Sequence, residues 1–102
     1  MSITVSKYQF DGPYLTTDYL KDNSGVYAIL CKNDSTYHPV DVGESAKVKT
    51  RVDNHDRKTC WQQSCHADLA VAVLYTPNLH QQGRMEIERE IRNEYNFPCG
   101  AW

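Results

Sequence analysis

Two side chains that can bind an anion lie four positions apart in the middle of the chain, Arg51 and His55. On a helix this spacing puts both on one face, about a turn apart, with Val48 and Val52 beside them. The valines predict that this face meets the core. The sequence therefore places a cation next to buried residues, which suits the binding of an anion at the edge of a sheet.

Further cations surround this pair. Within twelve positions the chain carries Lys47, Lys49, Arg51, Arg57 and Lys58. The whole chain has a formal charge of −2, so it lacks the overall positive field of a basic nucleic-acid-binding domain. Any phosphate binding must come from this local cluster.

Two predicted strands precede the segment that carries Arg51 and His55, and they form a hairpin. Val26–Cys31 follows a cluster of turn-forming residues, and residues 37–43 follow a second polar turn. Strand alternation places Tyr27 and Ile29 on one face of the first strand. It also places Tyr37 and Asp41 on one face of the second. Pro39 in that second strand favours an edge position or a bulge.

The remaining elements follow from hydrophobic periodicity and turn residues. Before the hairpin they are an edge strand over residues 2–10 that ends at an Asp11-Gly12-Pro13 turn, and a short helical turn at 16–21. After it come a helix at 46–55 with Ser45 as its cap, a loop or irregular helix at 56–66, and a candidate central strand at 67–75. The last element is a helix from Leu79 or Gly83 to Glu94 or Tyr95, with Ile87, Ile91 and Tyr95 buried.

Length and composition predict a single globular domain over residues 1–102. Of its 102 residues, 40% are hydrophobic and 24% are charged. No apolar run approaches the length of a membrane span, and the first residues lack the apolar block of a signal peptide. The expected location is therefore cytoplasmic.

The four cysteines, Cys31, Cys60, Cys65 and Cys99, are sparse and unpatterned for a disulfide scaffold. We expect most of them to be free thiols in a reducing compartment. His55, Cys60, Cys65 and His66 together offer ligand types that bind zinc, although their spacing fits no common zinc motif. Small buried or half-buried thiols are the competing interpretation.

Gly25-Val26-Tyr27 lies at the start of the first hairpin strand, Asp41-Val42-Gly43 at the end of the second, and Glu88 on the last predicted helix. In this order, with Arg51 and His55 between them, these residues resemble the GIY-YIG endonuclease domain family from about residue 25 to residue 98. Gly25-Val26-Tyr27 resembles the first signature of that family, and Asp41-Val42-Gly43 occupies the place of the second. Arg51 matches the essential arginine of the family, and His55 matches the histidine or tyrosine that often follows it. Glu88 matches the glutamate that binds the divalent metal ion on the last core helix.

The resemblance implies an α+β fold with a small three-stranded antiparallel sheet flanked by helices. Residues 2–10 would add an N-terminal edge strand to this sheet. The implied function is metal-dependent hydrolysis of DNA phosphodiester bonds, with Mg²⁺ or Mn²⁺ as the cofactor. DNA is then the partner, and a homodimer or a larger protein partner is left open.

The resemblance also implies a role for each matched residue. Tyr27 would activate or orient water, which requires a pKa lowered from about 10 by nearby cations and the metal. Arg51 supplies a fork for two phosphate oxygens. Glu88 is a hard oxygen ligand of the kind that Mg²⁺ takes. His55 would donate to the phosphate or pass a proton to the water.

Two positions depart from the family pattern. Asp41 stands in place of the tyrosine that opens the second signature, and the asparagine expected after the last helix has no counterpart, since Asn93 and Asn96 come early. Three interpretations of Asp41 stay open: a second metal ligand, a general base, or the mark of a domain that binds without cutting.

Two alternative functions follow. The first is a nucleic-acid-binding module of the same fold that contacts phosphates through Lys47, Lys49, Arg57 and Lys58 and releases no product. The second is a small protein-interaction domain stabilised by zinc at the cysteine and histidine cluster.

Overall fold

The computed structural model describes residues 1–100 and confirms the α+β class. Its elements are β1 (Ser2–Val5), β2 (Tyr8–Tyr14), a 3-10 helix (Thr17–Tyr19), β3 (Gly25–Asn33), β4 (Thr36–Ser45), α1 (Val48–Asp53), α2 (Lys58–Ser64), β5 (Asp68–Tyr75) and α3 (Gln81–Glu94). The strands form one antiparallel sheet in the order β1-β2-β5-β3-β4. The sheet therefore has five strands, not the three that the resemblance implied.

The N-terminal region forms a hairpin where the sequence predicted one strand. The chain reverses between β1 and β2, where Ser6 has a φ of 58°. Asp11-Gly12-Pro13, predicted as a turn, lies inside β2 instead. Gly12 has a φ of 108° there, and the register with β5 shifts between Asp11 and Tyr14. This irregularity accommodates the turn-forming residues without ending the strand.

β5 is the central strand of the sheet, as predicted, and it is covered on both faces. A strand buried on both sides reads as a continuous apolar run rather than an alternating one. Two hydrophobic clusters lie on the two faces. The first contains Tyr27, Ile29, Val48, Val52, Trp61 and Val73 among others. The second contains Phe10, Val26, Ala28, Val42, Ala72 and Ile91 among others. Thus α1 and α2 pack on one face and α3 on the other.

A bulge in the β3–β4 hairpin decides which way Asp41 faces. Tyr27 and Ile29 both belong to the first cluster, which confirms their predicted common face. Asp41 pairs with Ile29 and Pro39 pairs with Leu30, so Val40 is the extra residue. The extra residue reverses the alternation, and Tyr37 packs against the second cluster instead. The predicted common face of Tyr37 and Asp41 is therefore wrong, while the edge position and bulge expected near Pro39 are confirmed.

α1 is shorter than the predicted helix and ends at Asp53, so His55 lies beyond it. Ser45 ends β4, and its Oγ accepts a hydrogen bond from the Lys47 backbone N–H at 3.0 Å without capping the helix. The carboxylate of Asp22 takes over that task. It accepts from the Thr50 backbone N–H at 2.9 Å and from the Thr50 hydroxyl at 2.7 Å.

The last two helices agree with the sequence pattern. α2 occupies the segment predicted as a loop or irregular helix, and it buries Trp61. In α3, Ile91 is fully buried, while Ile87 and the following Tyr95 pack against the second cluster. The predicted buried stripe is therefore confirmed. Among residues 1–100, no helix has the length and apolar character needed to cross a bilayer.

All four cysteines form disulfides, so the prediction of free thiols is wrong. Cys31 is bonded to Cys65 and Cys60 to Cys99, with Cα–Cα distances of 5.5 and 5.9 Å. The sequence separations of 34 and 39 residues show that only the folded topology brings these pairs together. Both bonds tether α2, one through Cys60 within the helix and one through Cys65 at its C-terminal end.

Candidate functional site

Tyr27 and His55 form a hydrogen-bonded pair beneath the β3–β4 hairpin. The Tyr27 Oη lies 2.8 Å from the His55 Nε2, and the two residues are only 1% and 5% exposed. Gly43, the partner of Tyr27 across the hairpin, makes room for the phenol, because a Cβ atom at this position would overlap the Tyr27 Oη. Gly43 thus has a steric role in the site.

The hydrogen bonds of His55 determine where its proton lies. Its Nδ1 accepts from the Arg57 backbone N–H at 3.0 Å. Burial, with help from Arg51 and Arg57, lowers the pKa of His55 from 6.5 to about 4, so the ring is neutral near pH 7. A neutral ring whose Nδ1 accepts must carry its proton on Nε2. His55 therefore donates to the Tyr27 Oη, and the phenol proton is left to point toward another acceptor.

Tyr27 is a neutral phenol that accepts the hydrogen bond from His55. Burial raises its pKa to about 12, and the negative charges of Asp41 and Glu88 add to this effect. Arg51 and Arg57 lower the pKa, but by less than burial raises it. Water activation by a phenolate would need the opposite shift, so the phenol is better suited to orienting a water molecule or a phosphate oxygen.

Arg51 is the more exposed residue beside the Tyr27–His55 pair. Its guanidinium donates to the Asp56 carboxylate at 2.9 Å, and its side chain is 40% exposed, whereas the His55 side chain is fully buried. Because α1 ends before His55, the two residues do not share a helical face as predicted. The structure still brings both close to Tyr27, since Arg51 perturbs the pKa of each of the other two.

Glu88 on α3 is a poorly compensated carboxylate. Its side chain is 16% exposed, and its Oε2 contacts the Arg92 Nε at a long 3.5 Å. Burial raises the pKa of Glu88, Arg92 and Arg57 lower it by less, and the neighbouring Glu44 adds to the rise. Glu44 itself is paired with Arg84 at 2.8 Å. Burial penalises the charged form more than these cations stabilise it, so a further cation beside Glu88 would stabilise the carboxylate.

Glu88 is the residue that fits a divalent ion, because Mg²⁺ keeps several waters and needs only one or two carboxylates. Within the described residues, no group of three or more His, Cys, Asp or Glu side chains is arranged to hold a metal ion. A site at Glu88 would therefore be an open one, completed by water and by the oxygens of a substrate.

Asp41 is fully buried and has no unused acceptor capacity. Its Oδ1 accepts from the Val42 backbone N–H at 2.8 Å, from the Arg92 Nη2 at 2.6 Å and from the Arg57 Nη2 at 3.3 Å. Its Oδ2 accepts from the Arg57 Nε at 2.8 Å and the Trp61 Nε1 at 2.7 Å. These contacts leave no lone pair for a metal ion or a proton, so the geometry does not support Asp41 as a ligand or a base.

The other predicted cations have different partners. Lys49 pairs with Asp53 at 3.3 Å, and the Lys58 Nζ donates to the backbone carbonyl of Asp53. Lys47 is exposed. Arg57 belongs to the site, because its guanidinium is bound to Asp41. Sequence reasoning missed this role for Arg57, and it also missed Trp61 and Arg92, for which the sequence offered no motif.

The residues that were candidate zinc ligands are not available to bind zinc together. Cys60 and Cys65 are bonded to other cysteines and hold no free thiolate. The His55 Nε2 is hydrogen-bonded to Tyr27, and His66 is exposed beside the disulfide-bonded Cys65. The proposed four-ligand group therefore does not form.

Comparison of the chain with protein-family models, with curated proteins and with solved structures gave no match in any of the three.

Proposed function

We propose that the chain is a metal-dependent endonuclease domain of the GIY-YIG type that hydrolyses DNA phosphodiester bonds. The observation that carries the proposal is the buried Tyr27–His55 pair, joined at 2.8 Å, with the partly exposed Arg51 near enough to lower the pKa of both residues. Glu88 lies near enough to raise the pKa of the phenol. These four residues come from β3, α1, the connection after α1 and α3, so the fold is what gathers them.

Each residue supports one requirement of phosphodiester hydrolysis. Arg51 has a partly exposed guanidinium that can exchange its exposed partner Asp56 for two phosphate oxygens. The hydroxyl of Tyr27 can donate a hydrogen bond that orients a phosphate oxygen or a water molecule, and His55 holds the phenol oxygen in place. Glu88 would hold Mg²⁺ or Mn²⁺. Such an ion, when bound, supplies Lewis acidity toward the phosphate and lowers the pKa of bound water.

A plasmid-nicking assay tests this proposal. Supercoiled DNA is expected to become nicked in the presence of Mg²⁺ or Mn²⁺ and to stay intact with a chelator. Glu88→Ala and Arg51→Ala are expected to lose the activity. Glu86→Ala, on the exposed surface of the same helix, is the matched control and is expected to retain it. Cutting that persists in both site variants contradicts the proposal.

The state of Asp41 and Tyr27 favours one alternative, a module of the same fold that binds nucleic acid without cutting it. The carboxylate of Asp41 is occupied and does not supply the missing hydroxyl, and the pKa of Tyr27 is raised, not lowered. This alternative predicts DNA binding that weakens with salt and yields no metal-dependent product. An affinity that does not change with salt contradicts it.

A further inference from the structure

Arg57 contacts the site through both its backbone and its side chain. Its backbone N–H fixes the His55 ring by donating to Nδ1 at 3.0 Å. Its guanidinium donates to Asp41 from Nε at 2.8 Å and from Nη2 at 3.3 Å. A residue that holds the imidazole and the buried carboxylate at once lies inside the site, although the sequence assigned it to a cationic surface.

Asp41 holds this guanidinium beside the phenol. Asp41 and Gly43 are two positions apart on β4 and pair with Ile29 and Tyr27 respectively, so both point to the face that carries Tyr27. The Tyr27 ring lies against Gly43. The cation anchored at Asp41 is therefore one step along the strand from the phenol.

The guanidinium of Arg57 keeps donors for a ligand. Asp41 accepts hydrogen bonds from Nε and Nη2 of Arg57, whereas Nη1 has no hydrogen-bond partner within residues 1–100. The Arg57 side chain is 31% exposed, whereas Asp41 is fully buried. The inner edge of the fork is thus fixed while the side chain remains partly open to solvent, which is the arrangement that a preorganised oxyanion donor requires.

We propose that Arg57 is a second phosphate-binding arginine of the site and that Asp41 is its positioning residue. The inference rests on the proposed function, since it assigns the phosphate of a DNA substrate as the ligand. Arg51 and Arg57 contribute differently. Arg51 is paired with an exposed carboxylate, while Arg57 is held by a buried one. The departure from the family pattern at Asp41 then brings a fixed cation to the phosphate in place of a phenol hydroxyl.

Three variants of the full chain test the inference. Arg57→Gln removes the cation, and Arg57→Lys keeps the charge but cannot make the two-point contact with Asp41. Arg89→Gln makes the same charge change on the exposed surface of α3 and is the control. For each variant, urea unfolding gives the folded fraction, fluorescence anisotropy gives the affinity for a short DNA duplex without metal over a range of salt concentrations, and plasmid nicking gives turnover and KM.

The salt dependence reports the phosphate contact directly. Loss of one contact to duplex DNA should lower the slope of log affinity against log salt by about 0.9. We expect this for Arg57→Gln and not for Arg57→Lys or Arg89→Gln. Turnover of the folded protein should fall about 100-fold in Arg57→Gln, as when one oxyanion donor is removed. It should also fall in Arg57→Lys, because the charge is no longer held in place.

The outcomes separate this inference from the proposed function. If the wild type nicks DNA and Arg57→Gln matches Arg89→Gln in salt slope and turnover, the inference is overturned and the endonuclease proposal stands. If the wild type binds DNA without nicking it, the endonuclease proposal fails and the salt slope alone decides the role of Arg57. A wild type that neither binds nor nicks DNA overturns both.

Discussion

Replacing Asp41 by asparagine is the sharpest test of how the site is held together. The change is nearly isosteric but removes the charge and turns one acceptor oxygen into a donor. At Oδ2 the amide would face the Arg57 Nε and the Trp61 Nε1, which lie 2.8 and 2.7 Å away. At Oδ1 it would face the Val42 N–H and the Arg92 Nη2 at 2.8 and 2.6 Å. In either orientation the NH2 group of the asparagine would face N–H donors that now bind a carboxylate oxygen.

The expected effect is large because the carboxylate is fully buried. Removing one partner from a buried ion pair costs about 3–5 kcal/mol, since the remaining charge is left uncompensated. The free energy of unfolding of a domain this size is about 5–15 kcal/mol, so Asp41→Asn should remove a large share of it. The corresponding fall in Tm is more than about 10 °C.

Urea unfolding followed by circular dichroism, with the disulfides intact, measures this loss. Asp34→Asn, in the exposed turn between β3 and β4, makes the same change without burial and should alter the free energy of unfolding by less than about 0.5 kcal/mol. If Asp41→Asn is as mild as this control, the buried carboxylate does not organise the site and the reasoning is refuted.

Four further predictions follow. Gly43→Ala should displace the Tyr27 phenol, because its Cβ would overlap the Oη atom, and both Tm and nicking should fall. Glu88→Gln should leave Tm unchanged or raise it while abolishing nicking, since burial already penalises the charged form of Glu88; a marked fall in Tm would contradict this. The pKa of His55 is about 4 in the folded state and 6.5 in the unfolded state, so the unfolded state binds more protons between these values. The free energy of unfolding should therefore fall by on the order of 3 kcal/mol as the pH drops from 6.5 to 4. A His55→Gln variant should lose this pH dependence. Replacing both cysteines of the Cys31–Cys65 bond by alanine should cost between about 3 and 4.7 kcal/mol by loop entropy, and replacing Cys60 and Cys99 should cost nearly the same, because the closed loops differ little in length.

The sequence predicted the elements that have strong local signals. β3, β5 and α3 are apolar runs or periodic stripes, and these patterns depend on burial alone. The N-terminal hairpin was missed because Asp11-Gly12-Pro13 has the composition of a turn, and only its pairing with β5 shows that the strand continues. The strand count was wrong for the same reason.

The sequence predicted which residues form part of the candidate site, but not how they contact one another. Tyr27 and His55 are brought together, but their contact depends on a short α1 that the periodicity of the valines did not reveal. The side on which Asp41 lies could not be predicted, because the bulge at Val40 reverses the alternation. The partners of its carboxylate come from α2 and α3, at sequence separations that no local pattern spans.

The position of α2 connects the stability of the fold with the proposed chemistry. This short helix supplies Trp61 to Asp41, and Arg57 lies at its N-terminal cap. Its own hydrogen bonds cannot hold so short a helix, because isolated helices below about 12 residues are marginal in water. The two disulfides and the Asp41 contacts hold it instead. The proposed role of Arg57 requires a fixed orientation of its side chain, and this orientation depends on the two disulfides that hold α2. A reductant should therefore weaken nicking and lower Tm together.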